Sequence, residues 1–133
     1  AGYLSWLLAL LSVPFFPSPA YAVAVATQLQ ANCIDTSMWT PRVAKAYAKG
    51  LMQWNYPQWN RSEYTALAKL WGKESAWNPL ASNGSHYGIP QGKSEWLRDQ
   101  DGWTQVVWGL DYIGHRYGEP CIALDHWSKY GWH

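Results

Sequence analysis

The chain has 133 residues, room for one domain of ordinary size, and its balance of 48% hydrophobic to 14% charged residues excludes a disordered polypeptide. Ten Lys and Arg against nine Asp and Glu leave a net charge of +1, too little for the broad basic field that tracks phosphate backbones, so no nucleic-acid partner is expected. Eleven Trp beside nine Tyr supply large flat rings, which either fill a core or offer a face to a ligand such as a sugar ring.

Every charged side chain lies at or after Asp35. Before it, Tyr3 to Phe16 is almost wholly apolar, followed by Pro17, Pro19 and the small-x-small triplet Ala20-Tyr21-Ala22. This pattern predicts a secretory signal peptide over residues 1–22, cleaved after Ala22 to leave a mature domain over 23–133 outside the cytoplasm. The apolar run is too short for a spanning helix, which needs roughly 20 residues, and Pro14 interrupts it. No membrane span is expected in the mature chain. Outside the cytosol thiols pair, and Cys33 and Cys121 bracket nearly the whole mature domain, so a disulfide between them is expected. In the chain-entropy model a bridge closing so long a loop stabilises by about 4–5 kcal/mol. The competing reading, Cys121 as a nucleophile served by His126, lacks both a nucleophile motif and an orienting third residue.

The mature domain is predicted to be mainly α, because three stretches show helical periodicity with start and stop signals and none shows strict strand alternation. The first helix starts with Thr40 as cap and Pro41 at its first position, turns Val43, Ala44, Tyr47, Ala48 and Leu51 inward, and ends near Trp54. The second is announced by Asn60 with Glu63 three residues on, a capping-box arrangement. Leu67, Ala68, Trp71 and Ser75 follow at helical spacing, and Pro79 closes the segment. The third runs from about Trp103 to Tyr117 with Val106, Val107, Leu110 and Ile113 inward and Gly118 as its C-terminal glycine. Pro120 opens a short fourth helix through Trp127. Between the second and third lies a polar stretch rich in Asn, Gly, Ser and Pro, long enough to suggest part of a site.

Glu74 lies seven positions after Leu67, within about 20 degrees of the stripe carrying Leu67 and Trp71, so a carboxylate points toward the packed side. Neither Lys69 nor Lys73 projects toward it. Burial among aromatic rings disfavours the charged form of a carboxyl and fits it to act as a general acid. Periodicity leaves equal room for a Glu74 at a frayed end that reaches solvent and does nothing.

The residues that follow are more specific. Glu74-Ser75-Ala76-Trp77-Asn78-Pro79, then Tyr87-Gly88-Ile89-Pro90-Gln91, resembles the catalytic segment of the soluble lytic transglycosylase family within the lysozyme-like superfamily. There a Glu-Ser pair closing a helix is followed by a Gly-x-x-Gln turn on the wall of a glycan cleft. Trp108-Gly109-Leu110-Asp111-Tyr112-Ile113, Arg116-Tyr117-Gly118 and Pro120-Cys121-x-Ala123 extend the resemblance to small secreted or phage-borne members, over about Trp59 to Trp132. Gly50-Leu51-Met52-Gln53 spells a common form of the family's glycine-glutamine motif but precedes Glu74, and reads as the end of the first helix. The stretch from Asn83 to Tyr87 is short for the family, and His86 stands where many relatives have a small residue; it reads as a loop or cleft-lining side chain.

Glycosidic cleavage usually takes two carboxyls, and a second is hard to find. Glu95, Asp99 and Asp101 read as solvated surface, with Asp101 capping the third helix; Asp111 is the better candidate. The resemblance removes the need, since it implies a peptidoglycan lytic transglycosylase in which one residue does both jobs. Glu74 would protonate the oxygen linking N-acetylmuramic acid to N-acetylglucosamine, then act as base on the muramyl 6-hydroxyl as it closes onto C1. By the same resemblance Ser75, Tyr87 and Gln91 contact the glycan and Tyr117 partners Glu74. Trp77 and Trp96 have faces on which sugars could stack, but in so Trp-rich a small domain the core competes for each of them and is the stronger claim. Four scattered His, none at zinc-binding helical spacing, predict neither metal nor cofactor. The partner expected is the peptidoglycan strand, engaged by a monomer. A hydrolytic muramidase and a non-catalytic glycan-binding or virion structural protein remain open beside this reading.

Overall fold

The computed structural model describes residues 39–133, all within the unit Thr36–His133. The expected signal peptide and Cys33 lie outside the described residues. The first helix, α1 (Pro41–Asn55), begins as its sequence dictates: the Thr40 hydroxyl accepts from the Val43 amide at 3.2 Å, and Pro41 has no N–H to leave unpaired. Its buried seam is Ala44, Ala48 and Met52. Val43, predicted to face inward, is exposed, because small residues one position on let the backbone approach its neighbours and leave the flank of the stripe in water.

Helix α2 (Arg61–Ser75) is capped by the Asn60 carboxamide oxygen, which accepts from the Ser62 and Glu63 amides. The predicted capping box is only half made. Glu63 does not reach back to Asn60; it is buried, and its Oε2 accepts from the Cys121 amide at 2.7 Å. The helix stops at Ser75, before Pro79, because Ala76 and Trp77 both adopt left-handed backbone, with φ of 52° and 61°. These two residues turn the chain back so that Trp77 drops into the core against Trp71, ring centroids 5.1 Å apart.

The polar stretch expected to be loop carries structure of its own. Strands β1 (Ser82–Asn83) and β2 (His86–Tyr87) pair antiparallel, with Ser82 opposite Tyr87 and Asn83 opposite His86, across a Gly84-Ser85 turn whose Gly84 has φ of 60°. A one-turn helix, α3 (Glu95–Arg98), follows. Helix α4 (Gly102–Arg116) is capped by Asp101, which accepts from the Thr104 amide at 2.8 Å. Val106, Leu110 and Ile113 are buried along it, while Val107, expected inward, is exposed, being one residue and so about 100 degrees round from Val106. Gly118, at φ of 83°, donates its N–H to the Ile113 carbonyl and ends the helix as predicted. The last helix, α5 (Pro120–Tyr130), outruns the predicted Trp127 by three residues and ends at Gly131 in left-handed backbone.

The domain is thus mainly helical, with the core formed where α2, α4 and the Trp77 turn meet: Leu67, Leu70, Trp71, Trp77, Ile89, Leu110 and Ile113 pack there. A side chain on Gly109 would sit 2.5 Å from the Trp71 ring and 2.9 Å from Pro90, so the absence of one lets α4 press the Pro90 turn against α2. No helix among the described residues is long and apolar enough to cross a membrane.

Candidate active site

The C-terminal end of α2 and the Tyr87–Gly92 turn are bolted together by two side chains that hold opposite sides of one residue. Gln105, fully buried on α4, accepts the Ile89 N–H at 2.9 Å. Ser75 donates its hydroxyl to the Ile89 carbonyl at 2.7 Å. Tyr87 and Gly92 close the turn by bonding each other's backbone in both directions, and the Gln91 amide donates to the Gly88 carbonyl within it. Gly88 is required: its φ is 74°, and a Cβ there would collide with the Gln105 carboxamide.

Gln91 itself holds left-handed backbone at φ of 50°. Its side-chain nitrogen is spent on the Gly88 and Ala81 carbonyls, at 2.8 and 3.2 Å. The amide oxygen has no protein donor among the described residues. Gln91 then joins Glu74, Asn83, His86, Gly131, Trp132 and His133 around a cavity of about 120 Å³. That is small against the roughly 300–1,000 Å³ of pockets that engulf a whole ligand. It has room for one group of a ligand and not for a whole one.

Glu74 projects into this cavity with its side chain 14% exposed, so it neither frays into solvent nor sits in a dry core. Its Oε1 faces Nδ1 of His133 at 2.9 Å; Oε2 has no protein partner among the described residues. His133 is the residue the sequence did not reveal. Its side chain is 1% exposed, between the rings of Tyr112 and Tyr117, with centroids 6.0 and 6.5 Å away. Its Nε2 is buried without a hydrogen-bond partner. The preceding Trp132 is anchored by its carbonyl, 2.9 Å from Nδ1 of His126, and by the Arg116 guanidinium 5.2 Å over its ring.

The other expected site residues divide. Ser75, Gln91 and His86 are assembled at or beside Glu74, Ser75 as a clamp on the turn. Tyr87 is half-buried under the Arg98 guanidinium, 5.6 Å from its ring, and does not line the cavity. Tyr117 does not bond Glu74; its hydroxyl accepts from Arg116 Nε at 3.1 Å, and it reaches the carboxyl only through His133. Trp77, a candidate sugar face for which the core was the stronger competitor, is a core residue: it is 1% exposed and its indole N–H is donated to the Ala68 carbonyl at 3.2 Å. Its left-handed backbone turns the ring inward, away from any ligand. Trp96 is 52% exposed on α3 and free to stack, but lies outside the cavity lining.

Asp111, the alternative carboxylate, is exposed and accepts from the Tyr56 hydroxyl at 3.0 Å, away from the cavity. Among the described residues Glu74 is the one carboxylate lining it. Among the described residues Cys121 has no disulfide partner, and its Sγ approaches the Ser62 carbonyl at 3.8 Å. Burial and the carboxylate of Glu63, with Glu119 adding, push that thiol up to about 11. Such a thiol stays protonated at neutral pH, which argues against the nucleophile reading. No group of three or more potential metal ligands occurs among the described residues.

No known protein family matches the chain, and no curated protein or solved structure matches it.

Proposed function

We propose that the chain is an exported peptidoglycan lytic transglycosylase of lysozyme-like fold, with Glu74 as acid and then base. The observation that carries this reading is a lone carboxyl in a polar-lined cavity, one oxygen engaged and the other open, beside a rigid Gly88–Gln91 turn. Two carboxyls are the rule for hydrolysis through a bound nucleophile or an activated water. A single one suffices when the second nucleophile is a hydroxyl of the substrate, delivered at high effective concentration because it belongs to the same sugar.

In this mechanism the glycan lies across the cavity mouth with the scissile oxygen over Glu74. The acid protonates that oxygen as the C1–O bond breaks. The carboxylate then takes the proton of the muramyl 6-hydroxyl, whose oxygen bonds to C1, leaving a 1,6-anhydro end. Asn83 and the open amide oxygen of Gln91 supply a donor and an acceptor for sugar acetamido and hydroxyl groups. Trp96, exposed on α3, offers a face on which a neighbouring sugar stacks.

Mass spectrometry of digested peptidoglycan tests the reading, because anhydro ends are lighter by one water than reducing ends. Anhydro ends are expected from the native protein, with a loss of at least about a hundredfold in rate for Glu74→Gln. Reducing ends would show water as the acceptor and a muramidase. Undiminished digestion by Glu74→Gln would remove Glu74 as the acid.

A further inference from the structure

We infer that His133 is a positioning residue for Glu74: its neutral ring, protonated at Nδ1, donates to Oε1 and leaves the carboxyl's own proton on Oε2, the oxygen that faces the substrate. The pair itself stands on geometry alone, while its role in turnover rests on the transglycosylase reading.

Nε2 is buried with no partner, and an N–H placed there would lose its hydrogen bond to water without regaining one. A doubly protonated ring would carry that same orphaned N–H. The groups packed on the ring are Tyr112 and Tyr117, both phenols, and Glu74; the nearest guanidinium, Arg116, lies over Trp132, Tyr112 and Tyr117. The arrangement that leaves no N–H orphaned puts one proton on Nδ1, 2.9 Å from Oε1. The hydrogen bond at one nitrogen thereby sets the tautomer of the other.

A donor fixed on Oε1 has two consequences for the carboxyl. In its acid form the proton is excluded from Oε1, which already accepts, and so sits on Oε2. That oxygen delivers it to the glycosidic oxygen as the C1–O bond breaks and its electron pair passes to the leaving sugar. In its base form the carboxylate is held in the same rotamer by the same N–H, while Oε2 takes up the proton of the 6-hydroxyl as that oxygen bonds C1. His133 gives up no proton at either step. Its contribution is to keep one oxygen aimed at the substrate through both, which requires a donor of fixed position and not merely a ring of this size.

Nitrogen NMR of the histidine rings in the full chain, with His133 assigned through His133→Phe, reads the tautomer without any substrate. Expected is a singly protonated ring with its proton on Nδ1, whose resonances move in Glu74→Ala. A proton on Nε2, a doubly protonated ring, or indifference to Glu74→Ala would overturn the pair. Kinetics on soluble glycan fragments test the role. His133→Phe keeps the packing but not the donor and is expected to lower kcat at least about tenfold with little change in KM. His133→Asn, whose amide nitrogen falls near the Nδ1 position, is expected to restore most of that loss. Full kcat in His133→Phe, or no recovery in His133→Asn, would refute the positioning role. A native protein producing no anhydro ends would sink the transglycosylase reading instead, with the ring tautomer still deciding the pair.

Discussion

At the scale of single residues the site depends on Gln105 more than on any group near its surface. The carboxamide is fully buried and satisfied on every side: its oxygen accepts from Ile89, and its nitrogen lies 3.0 to 3.1 Å from the carbonyls of Pro79, Leu97 and Gln100. One side chain therefore ties the end of the Trp77 turn, the helix α3 and the turn beside Glu74 to α4. Substituting leucine leaves the volume nearly unchanged but orphans a buried N–H and several carbonyls. We expect Gln105→Leu to cost about 2–4 kcal/mol in denaturant unfolding, well above the roughly 1 kcal/mol typical of point substitutions. Nothing in the local sequence marks this glutamine, which occupies an ordinary apolar-stripe position next to Val106. Its partners come from three other segments.

At the scale of elements, the interesting junction is the one between α2 and α5. A carboxylate buried without a cation is costly, and Glu63 offsets this by accepting from the Cys121 amide in the first turn of α5, where the unpaired N–H groups and the helix dipole favour negative charge. One helix thus caps another. Glu63→Gln keeps the shape and an acceptor but removes the charge, with an expected loss of about 1 kcal/mol of stability. It also removes the negative charge that helps hold the Cys121 thiol up at about 11. With that carboxylate gone the thiol ionises at lower pH, so iodoacetamide is expected to alkylate Cys121 faster in reduced Glu63→Gln than in the reduced native protein at the same mildly alkaline pH. An unchanged rate would show that burial alone sets the thiol.

At the scale of the whole molecule, long-range polar ties stitch the early helices to the late ones. Tyr56, just past the end of α1, stacks on Trp59 with centroids 4.0 Å apart and donates its hydroxyl to Asp111 on α4. Burial first, and then that bond to the Asp111 carboxylate, push its phenol up to about 12. An unfolded tyrosine ionises near 10, so between those values the native state holds a proton that the unfolded state has lost. This stabilisation is complete below about pH 10 and is lost as pH rises toward 12. Tyr47 and Tyr112 are shifted upward by burial in the same direction, so native protein is expected to weaken steeply in this window. Urea unfolding at stepped pH isolates the Tyr56 share: the alkaline decline should be shallower in Asp111→Asn, and an identical decline would rule the pair out as a contributor.

Local chemistry sufficed for the caps and ends of the long helices, while the short β1–β2 hairpin and the one-turn α3, equally local, went unread. Thr40 and Pro41, Asn60, Asp101, Gly118 and Pro120 each govern backbone groups within one turn, so the helix starts and one helix end could be read in the chain. The facing of Glu74 toward the packed side was legible for the same reason, since periodicity relates it to Leu67 and Trp71. What no such reading reaches is the partner of a side chain that crosses the fold. Glu63 promised a local box and instead caps α5; Trp77 was open between core and sugar face, and two left-handed residues drive it into the core. The carboxyl of Glu74 meets a histidine 59 positions away. The sequence by itself determined which long helices form and which carboxyl turns inward, because 3.6-residue periodicity and capping are short-range. Only the tertiary structure decided what that carboxyl touches, because a buried polar group is satisfied by whatever distant donor the packing of whole helices brings within 3 Å.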